Sequence, residues 1–394
     1  MSYFDINPMD RHARDRKLIK QPHLFLIAAF IMAFSSPGLA LETLGKQVIL
    51  VDAETGAVLF EKNADQRMPP SSMSKIMTVY KLFEALKNGG LSLTDTFNVS
   101  EKAWRKGGSK MFVRVNSRVK VEDLIRGIIV QSGNDATIVV AEGLAGSEDA
   151  FAGELNTTAR RLGMTASNFT NASGWPDPDL YTTARDLARA ALATIKNFPE
   201  FYHYYKEKSF TYNGIRQANR NPTLYRKLGA DGLKTGHTRA AGYGLTTSAM
   251  RNGRRLVLVI NGLPSAKARA VESERILDWG FRVFDNYALF QAGETVTEAQ
   301  VWMGQQGTVP LNIRKALVLT LPKKVRRQMK VSVVFEQPIP APIREGDRLA
   351  KLKVTMPGRQ TQGIPLYAGN DVMQLGLFSR LGAAIKFILW GESG

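Results

Sequence analysis

The 394-residue chain contains no cysteine. That single absence excludes a disulfide framework, a thiolate zinc site and a cysteine nucleophile. Histidine is nearly as scarce, with four in all: His12, His23, His203 and His237. The usual base of a serine nucleophile is therefore in short supply, and no G-x-S-x-G turn is present to offer such a serine. Long apolar runs are missing too. The stretch "LFLIAAFIMAF" at 24–34 falls well short of the ~20 residues that cross a bilayer. What is plentiful is positive charge: 53 Lys and Arg against 35 Asp and Glu, a net +18. A 44% apolar and 22% charged composition is that of a soluble globular protein, and the length predicts two domains.

The N-terminus points to export. Basic "RHARDRKLIK" (11–20) precedes the apolar run, and Ser35-Ser36-Pro37 and Gly38-Leu39-Ala40 follow. That order predicts a signal peptide over 1–40 with cleavage after Ala40; an uncleaved anchor is the alternative. Residues 1–40 hold five Lys/Arg and three Asp/Glu, so the remainder keeps +16 of the +18. Such a surface attracts polyanions such as anionic lipid or acidic wall polymer. Export and the lack of any RRM or zinc-finger motif remove nucleic acid from the partners.

The hairpin signals come first. "KQVILVDAETGAVLFEKN" (46–63) reads as two strands around Glu54-Thr55-Gly56. From Ser72 to Leu86 the apolar positions Ile76, Val79, Leu82, Phe83 and Leu86 keep helical spacing, and Gly89-Gly90 closes that helix. Residues 121–145 read as two helices broken at "QSGN", and 148–197 as mostly helical, interrupted by "NASGWPDPDLY". Strands return with "GLKTGHT", "GYGLTTSAM" and "RRLVLVINGL"; the last two are joined by Arg251-Asn252-Gly253, a strong hairpin signal. "SAKARAVESERILDWGFRVF" then reads as a helix. Strands at both ends of a helical block predict an α+β domain over 41–290 with an antiparallel sheet.

Residues 291–368 have another texture. Short β-rich runs between Pro and Gly turns predict a small all-β sandwich. Its first half is basic, with Arg314, Lys315, Lys323, Lys324, Arg326, Arg327 and Lys330. The end, 369–394, predicts an amphipathic helix: Phe378, Leu381, Ile385 and Ile388 share a face, Arg380 and Lys386 can reach anionic head groups, and Trp390 suits a bilayer interface. It is short for a span, so it is expected to lie on the membrane surface; a helix docked on its own domain would show the same period.

The chemistry starts at "RMPPSSMSKIMTVYKLFEAL" (67–86), where Ser72 and Lys75 stand three apart at a helix start, hence on one face. A lysine can deprotonate a serine if burial and neighbouring cations lower its pKa, and a helix N-terminus favours the developing alkoxide. Alone, S-x-x-K recurs by chance. Here "QSGND" follows with Ser132, Gly133 and Asn134, and "LKTGHT" with Lys234, Thr235, Gly236 and His237. Those three motifs in that order are the shared signature of penicillin-binding proteins and class A β-lactamases. His203, in aromatic "FYHYYKEK", reads as structural.

Four longer stretches, "VLFEKNADQRMPPSSMSKIMTVY", "VEDLIRGIIVQSGNDA", "YKEKSFTYNGIRQANRN" and "DGLKTGHTRAAGYGL", resemble the D-alanyl-D-alanine carboxypeptidases, serine-type low-molecular-weight penicillin-binding proteins of the periplasm. The likeness is close over 44–285 and looser through the β domain and C-terminal helix, which that family also has. It implies a β-lactamase/transpeptidase-like catalytic domain with Ser72 as nucleophile and Lys75 as its base. Ser132 would relay a proton to the leaving D-alanine, and Asn134 would orient Lys75 and a substrate amide. Lys234 would keep the site electropositive. Thr235 and Arg220 would hold the terminal carboxylate, and the N–H groups of Ser72 and His237 would form the oxyanion hole. The implied partners are a peptidoglycan pentapeptide ending in D-Ala-D-Ala, β-lactam inhibitors, and the inner-membrane surface; no cofactor or metal is called for. The chain departs from the family at Ser74, usually Thr, and at Pro222-Thr223, usually Gly-Leu.

Three rivals share part of this reading. A class A β-lactamase also needs a glutamate in an E-x-x-L-N pattern, and "GELN" puts Glu154 out of place. A DD-endopeptidase would use the same residues on another bond. A non-catalytic wall-binding module is disfavoured by three intact motifs.

Overall fold

The computed structural model describes residues 41–358 and 360–380, together with the backbone of residues 2–6. It divides into one unit of residues 37–283 and a second that begins at Phe284 and takes in the strand Ser2–Ile6. The sequence pattern sets this boundary after residue 290. In the structure Phe284–Phe290 pairs with Leu317–Pro322 and so goes with the second unit.

The first unit is built on a five-stranded antiparallel sheet. Its strands are β1 (Gln47–Asp52), β2 (Val58–Lys62), β3 (Ala230–Thr238), β4 (Gly242–Arg251) and β5 (Arg254–Leu263), in the order β2-β1-β5-β4-β3. Turn chemistry sets the connections. Asn252 and Gly253, both at positive φ, make the tight β4–β5 turn. Asp52 Oδ1 accepts the N–H groups of Glu54 and Thr55, 3.1 Å each, to bend the β1–β2 connection. The middle strand is apolar on both faces, Leu256 to Ile260 being fully buried, because helices cover the sheet on both sides.

The longer helices of this unit are α1 (Lys75–Lys87), α2 (Val121–Ile129), α3 (Asn134–Ala145), α4 (Glu148–Arg161), α5 (Ala184–Asn197) and α6 (Ala266–Val283), of which α1, α5 and α6 pack on the sheet and the others pack around α1. On one face Gly280 of α6 lies against Leu50 and Leu256. On the other, Ile49, Val51 and Val259 meet Met73 and, from α5, Leu187. All five apolar positions that define α1 in the sequence are buried. Ser147 and Thr183 cap α4 and α5, each accepting the N–H three residues on.

The second unit is the expected β sandwich. A seven-stranded sheet and the two-stranded ribbon Phe284–Phe290/Leu317–Pro322 share one core, in which Leu319 and Leu321 of the ribbon meet Val333, Leu352 and Leu366. Pairing runs from Lys330–Phe335 through Arg348–Thr355 to Gln362–Ala368, with Ser2–Ile6 on the outer edge of the first. Residues 7–40, most of the expected leader, lie outside the described residues.

The basic cluster, contiguous in sequence, is divided in space. Lys330 starts its strand beside Thr355, so the connection holding Lys323, Lys324, Arg326 and Arg327 lies at that end of the sheet. Arg314 reaches the Gly346 carbonyl, whose N–H bonds Ala368 at the other end. A strand of seven residues, Gln362–Ala368, separates the two ends, roughly 20 Å. The expected C-terminal helix also starts later than its pattern. Val372 is buried and bridges Ile343, and Gln374 bridges Gly304; helix begins at Leu377, and residues 381–394 lie outside the described residues. Among the described residues, no helix is long and apolar enough to cross a membrane.

Candidate active site

Ser72 lies in a 3-10 turn, Ser71–Ser74, that runs straight into α1. In that tighter winding residues i and i+3 eclipse, which lines Ser72 up with Lys75 more directly than an α-turn would. The turn rests on the edge strand β3 and its neighbour. A Cβ on Gly236 would come 3.0 Å from the Pro70 carbonyl oxygen and 3.1 Å from Met73. Gly244, its partner across the strands, is equally bare, and a Cβ there would meet the Met73 methyl at 2.6 Å. Behind the turn, Gly174 sits against the Ser71 carbonyl and Ser74 Oγ at φ +75°.

Lys75 is fully buried, and its Nζ has three oxygen neighbours: Ser72 Oγ at 2.8 Å, Asn134 Oδ1 at 2.8 Å and the Ser173 carbonyl at 2.6 Å. Burial, with the cations of Arg220 and Lys106, brings its pKa down to about 7, against an opposing pull from Asp135. The neighbour count then has chemical meaning. A neutral amine has two N–H groups and one lone pair. The Asn134 and Ser173 oxygens take the two hydrogens, and the lone pair is left facing the Ser72 hydroxyl.

Ser132, at φ +59°, sits in the break between α2 and α3, and its Oγ accepts from Lys234 Nζ at 2.9 Å. Lys234 also reaches the Thr235 carbonyl at 3.2 Å. Its pKa is held well below the ordinary lysine value by burial first, then by Lys75, Arg220 and Arg269. Along β3, Thr235 and Gly236 are buried while His237 is exposed and stacked on Tyr243 at 4.0 Å. Asn134 is locked from both ends, its Nδ2 donating to the Gly107 carbonyl at 2.9 Å. Arg220 stands exposed at the rim and donates to Ser109 Oγ at 2.6 Å.

Ser72, Lys75 and Asn134 therefore form one hydrogen-bonded set, and Ser132 and Lys234 a second within electrostatic reach of it. Several contributors carry no motif. Ser173 acts through its carbonyl, held by Asn171 Oδ1, which accepts the N–H groups of Ser173, Gly174 and Trp175. Arg269, on α6, is buried, donates to the Arg220 carbonyl at 3.4 Å, and has its Nε unpaired among the described residues. Asp135, fully buried, accepts from the backbone N–H groups of Met111, Phe112, Val113 and Ala136. The residue after "SGN" is thus the anchor of the loop that ends in "MFV". His203 bonds the Glu200 carbonyl and packs on Tyr204, a structural role. Glu154 pairs with Lys81 at 3.2 Å.

Residues 34–265 match the family model of D-alanyl-D-alanine carboxypeptidases, peptidase S11, and residues 284–374 match the C-terminal domain of penicillin-binding protein 5. The chain belongs to the D-alanyl-D-alanine carboxypeptidase family. A D-alanyl-D-alanine carboxypeptidase of Haemophilus influenzae, DacA, is 38% identical over 339 residues, 84% of this chain and 86% of that one. Penicillin-binding protein 5 of the same organism superposes with a TM-score of 0.77 at 37% identity, over 85% of this chain and 99% of the other. Penicillin-binding protein D2 of Listeria monocytogenes, solved with ampicillin bound, gives 0.57 at 29% identity over 61% and 99%. The carboxypeptidase family thus accounts for both units, and the chain is a serine-type enzyme acting on D-Ala-D-Ala termini.

Proposed function

We propose that this carboxypeptidase removes the terminal D-alanine of peptidoglycan pentapeptides through an acyl-enzyme on Ser72. The observation that carries the proposal is the buried Lys75 amine 2.8 Å from Ser72 Oγ, its two hydrogens engaged elsewhere. Ser72 Oγ attacks the carbonyl of the penultimate D-alanine as its proton passes to Lys75. The N–H groups of Ser72 and His237 hold the oxyanion. When the intermediate collapses, the C–N bond breaks and the departing D-alanine amine takes a proton through Ser132. Water then attacks the ester, Lys75 again accepting a proton, and Ser72 is regenerated. Arg220, Lys234 and Thr235, with the unpaired N–H of Arg269, suit the terminal carboxylate that distinguishes an exopeptidase substrate. Among the described residues strand β3 has a sheet neighbour on one side only, leaving its outer edge for an extended peptide backbone.

Penicillins acylate the same serine in this reading, as the ampicillin complex of the Listeria neighbour suggests. The test is Ser72→Ala. It should abolish both D-alanine release from a pentapeptide and labelling by a fluorescent penicillin while leaving the thermal unfolding curve in place. Labelling that persists at the site in Ser72→Ala sinks the assignment.

The same reading places the enzyme in the periplasm, exported by the leader over 1–40 and held at the membrane by its C-terminus. Leu377 and Phe378 are 80% and 94% exposed where that segment starts, a large apolar area to leave in water. Of the basic cluster only Arg314 and Lys315 lie at the C-terminal end of the sheet. The other five cations stand roughly 20 Å away, beyond the ~8 Å screening length at physiological salt. The two groups are therefore separate patches and not one continuous basic surface.

A further inference from the structure

We propose that Trp175 is a positioning residue of the carboxypeptidase reaction: its indole clasps the 106–110 loop to the 171–175 loop and so holds the oxygen cage of Lys75 closed. The two loops supply different walls of that cage. The first bonds Asn134, through the Gly107 carbonyl to Nδ2 at 2.9 Å and through the Ser109 carbonyl to the backbone N–H at 2.7 Å. The second supplies the Ser173 carbonyl directly to Lys75 Nζ.

Trp175 spans them. Its backbone belongs to the second loop, the N–H donating to Asn171 Oδ1 at 3.0 Å and the carbonyl accepting from Asn171 Nδ2 at 3.0 Å. Its ring lies against the first: a Cβ built on Gly108 would come 3.0 Å from the indole and 2.8 Å from Asn134 Nδ2, and one on Gly107 3.8 Å from the indole. Two bare glycines are what lets an indole lie on the main chain there. Lys106, the residue before them, sets its ammonium 4.6 Å from the ring centroid, an attraction worth ~1 kcal/mol at such a half-exposed site. The indole remains 42% exposed, so ordinary core packing does not explain an aromatic at this point.

Without the ring, two consecutive glycines lose the indole packed on them, and water gains a path to Lys75. The charges around that amine are Asp135, which favours its protonated form, and Lys106, Arg220 and Lys234, which oppose it. All of these residues remain in a Trp175 variant, with Lys106 alone losing its ring, so a rise in the Lys75 titration reports desolvation, cage geometry and the release of Lys106 together. Removal of the clasp should move Lys75 upward toward an ordinary lysine.

The test compares wild type, Trp175→Ala and Trp175→Phe on a short peptide ending in D-Ala-D-Ala. In Trp175→Ala, kcat should fall ~10-fold with KM nearly unchanged, and the acid limb of kcat/KM should rise by about half a pH unit or more. Trp175→Phe should recover most of both, since a ring can still lie on the glycines. Hydrogen exchange is the second readout: the clasp predicts faster exchange at 106–112, the loop that does not contain the mutation. A Trp175→Ala enzyme that raises KM alone, with the acid limb and the exchange of 106–112 unchanged, makes the indole a substrate contact and overturns the proposal. The kinetic arm rests on Lys75 being the base. If the wild-type profile has no limb near pH 7 that reading fails, and the exchange of 106–112 then decides the clasp alone.

Discussion

Adding one methyl group at Gly174 should disable the enzyme out of proportion to the stability it removes. Two costs are combined there. The residue sits at φ +75°, where an alanine costs about 1 kcal/mol or slightly more. The new Cβ would also collide with the Ser71 carbonyl and Ser74 Oγ, and overpacking of that kind costs about 1–3 kcal/mol. The structure supplies a control for the first cost. Gly163, just past α4, has φ +74° and open space where its Cβ would go. Gly163→Ala should therefore lower the Tm of the catalytic unit by about 3 °C, and Gly174→Ala by roughly 6–12 °C, at the ~2–4 °C per kcal/mol of a domain this size. The collision is relieved by moving either the serine turn or the loop that carries the Ser173 carbonyl. A displacement near 1 Å in either should cost ~100-fold in kcat/KM. Thermal unfolding and D-alanine release on both variants check this. Equal loss of Tm in the two, with wild-type activity in Gly174→Ala, refutes the argument that this loop sets the serine turn.

Other outcomes follow from the same coordinates. In the proposed mechanism the neutral form of Lys75 is the reactive one, and its pKa is brought to about 7, so kcat/KM should be low in acid and rise through a midpoint near 7; a flat profile from about pH 6 to 10 argues against a titrating base. The sign for stability is the same: the unfolded chain holds the Lys75 proton up to about 10.4, so this residue's contribution to stability grows as pH rises above 7. Asp135→Ala strands four N–H groups, three in the loop at 111–113 and one at the start of α3, and should cost about 2–4 kcal/mol, read from the urea midpoint, while Asp135→Asn, which keeps one acceptor, should cost less. Deleting 377–394 should free the protein from anionic vesicles without loss of soluble activity; the cut must spare Val372, which belongs to the core of the second unit. Neutralising Lys323, Lys324, Arg326, Arg327 and Lys330 together should leave vesicle binding unchanged, and release by that variant would show that this end also meets the membrane.

The sequence made the framework legible where chemistry is local. Asn252-Gly253, the spacing from Ile76 to Leu86 and the three catalytic motifs each depend on a few adjacent residues, and each sits where its pattern places it. Contacts made through the main chain left no such trace. The Ser173 carbonyl and the Gly107 carbonyl are supplied by positions at which nearly any side chain could supply the same oxygen. Arg269 reaches the site from a helix 197 residues after Ser72, and no spacing rule connects them. Some signals were present but outweighed: Asn213-Gly214 turns the hairpin Ser209–Tyr212/Ile215–Ala218 next to Arg220, inside a stretch dominated by its family resemblance. The division of the basic cluster was hidden for another reason. Neighbours along a strand-rich chain end at opposite ends of a sheet whenever the chain between them runs its length.

The paired glycines 236 and 244 decide where the cleft can yield. A wall of side chains relaxes by rotamer changes, at the cost of a bond rotation. Here the serine turn lies on bare main chain, so its distance from β3 is fixed by atomic radii and by the hydrogen bonds of the sheet. That side of the cleft is stiff for the same reason that the nucleophile is well placed. Whatever give a bulky, branched wall polymer demands on entry has to come from the facing side, where 106–113 and 171–181 are held by capped turns and a single exposed indole.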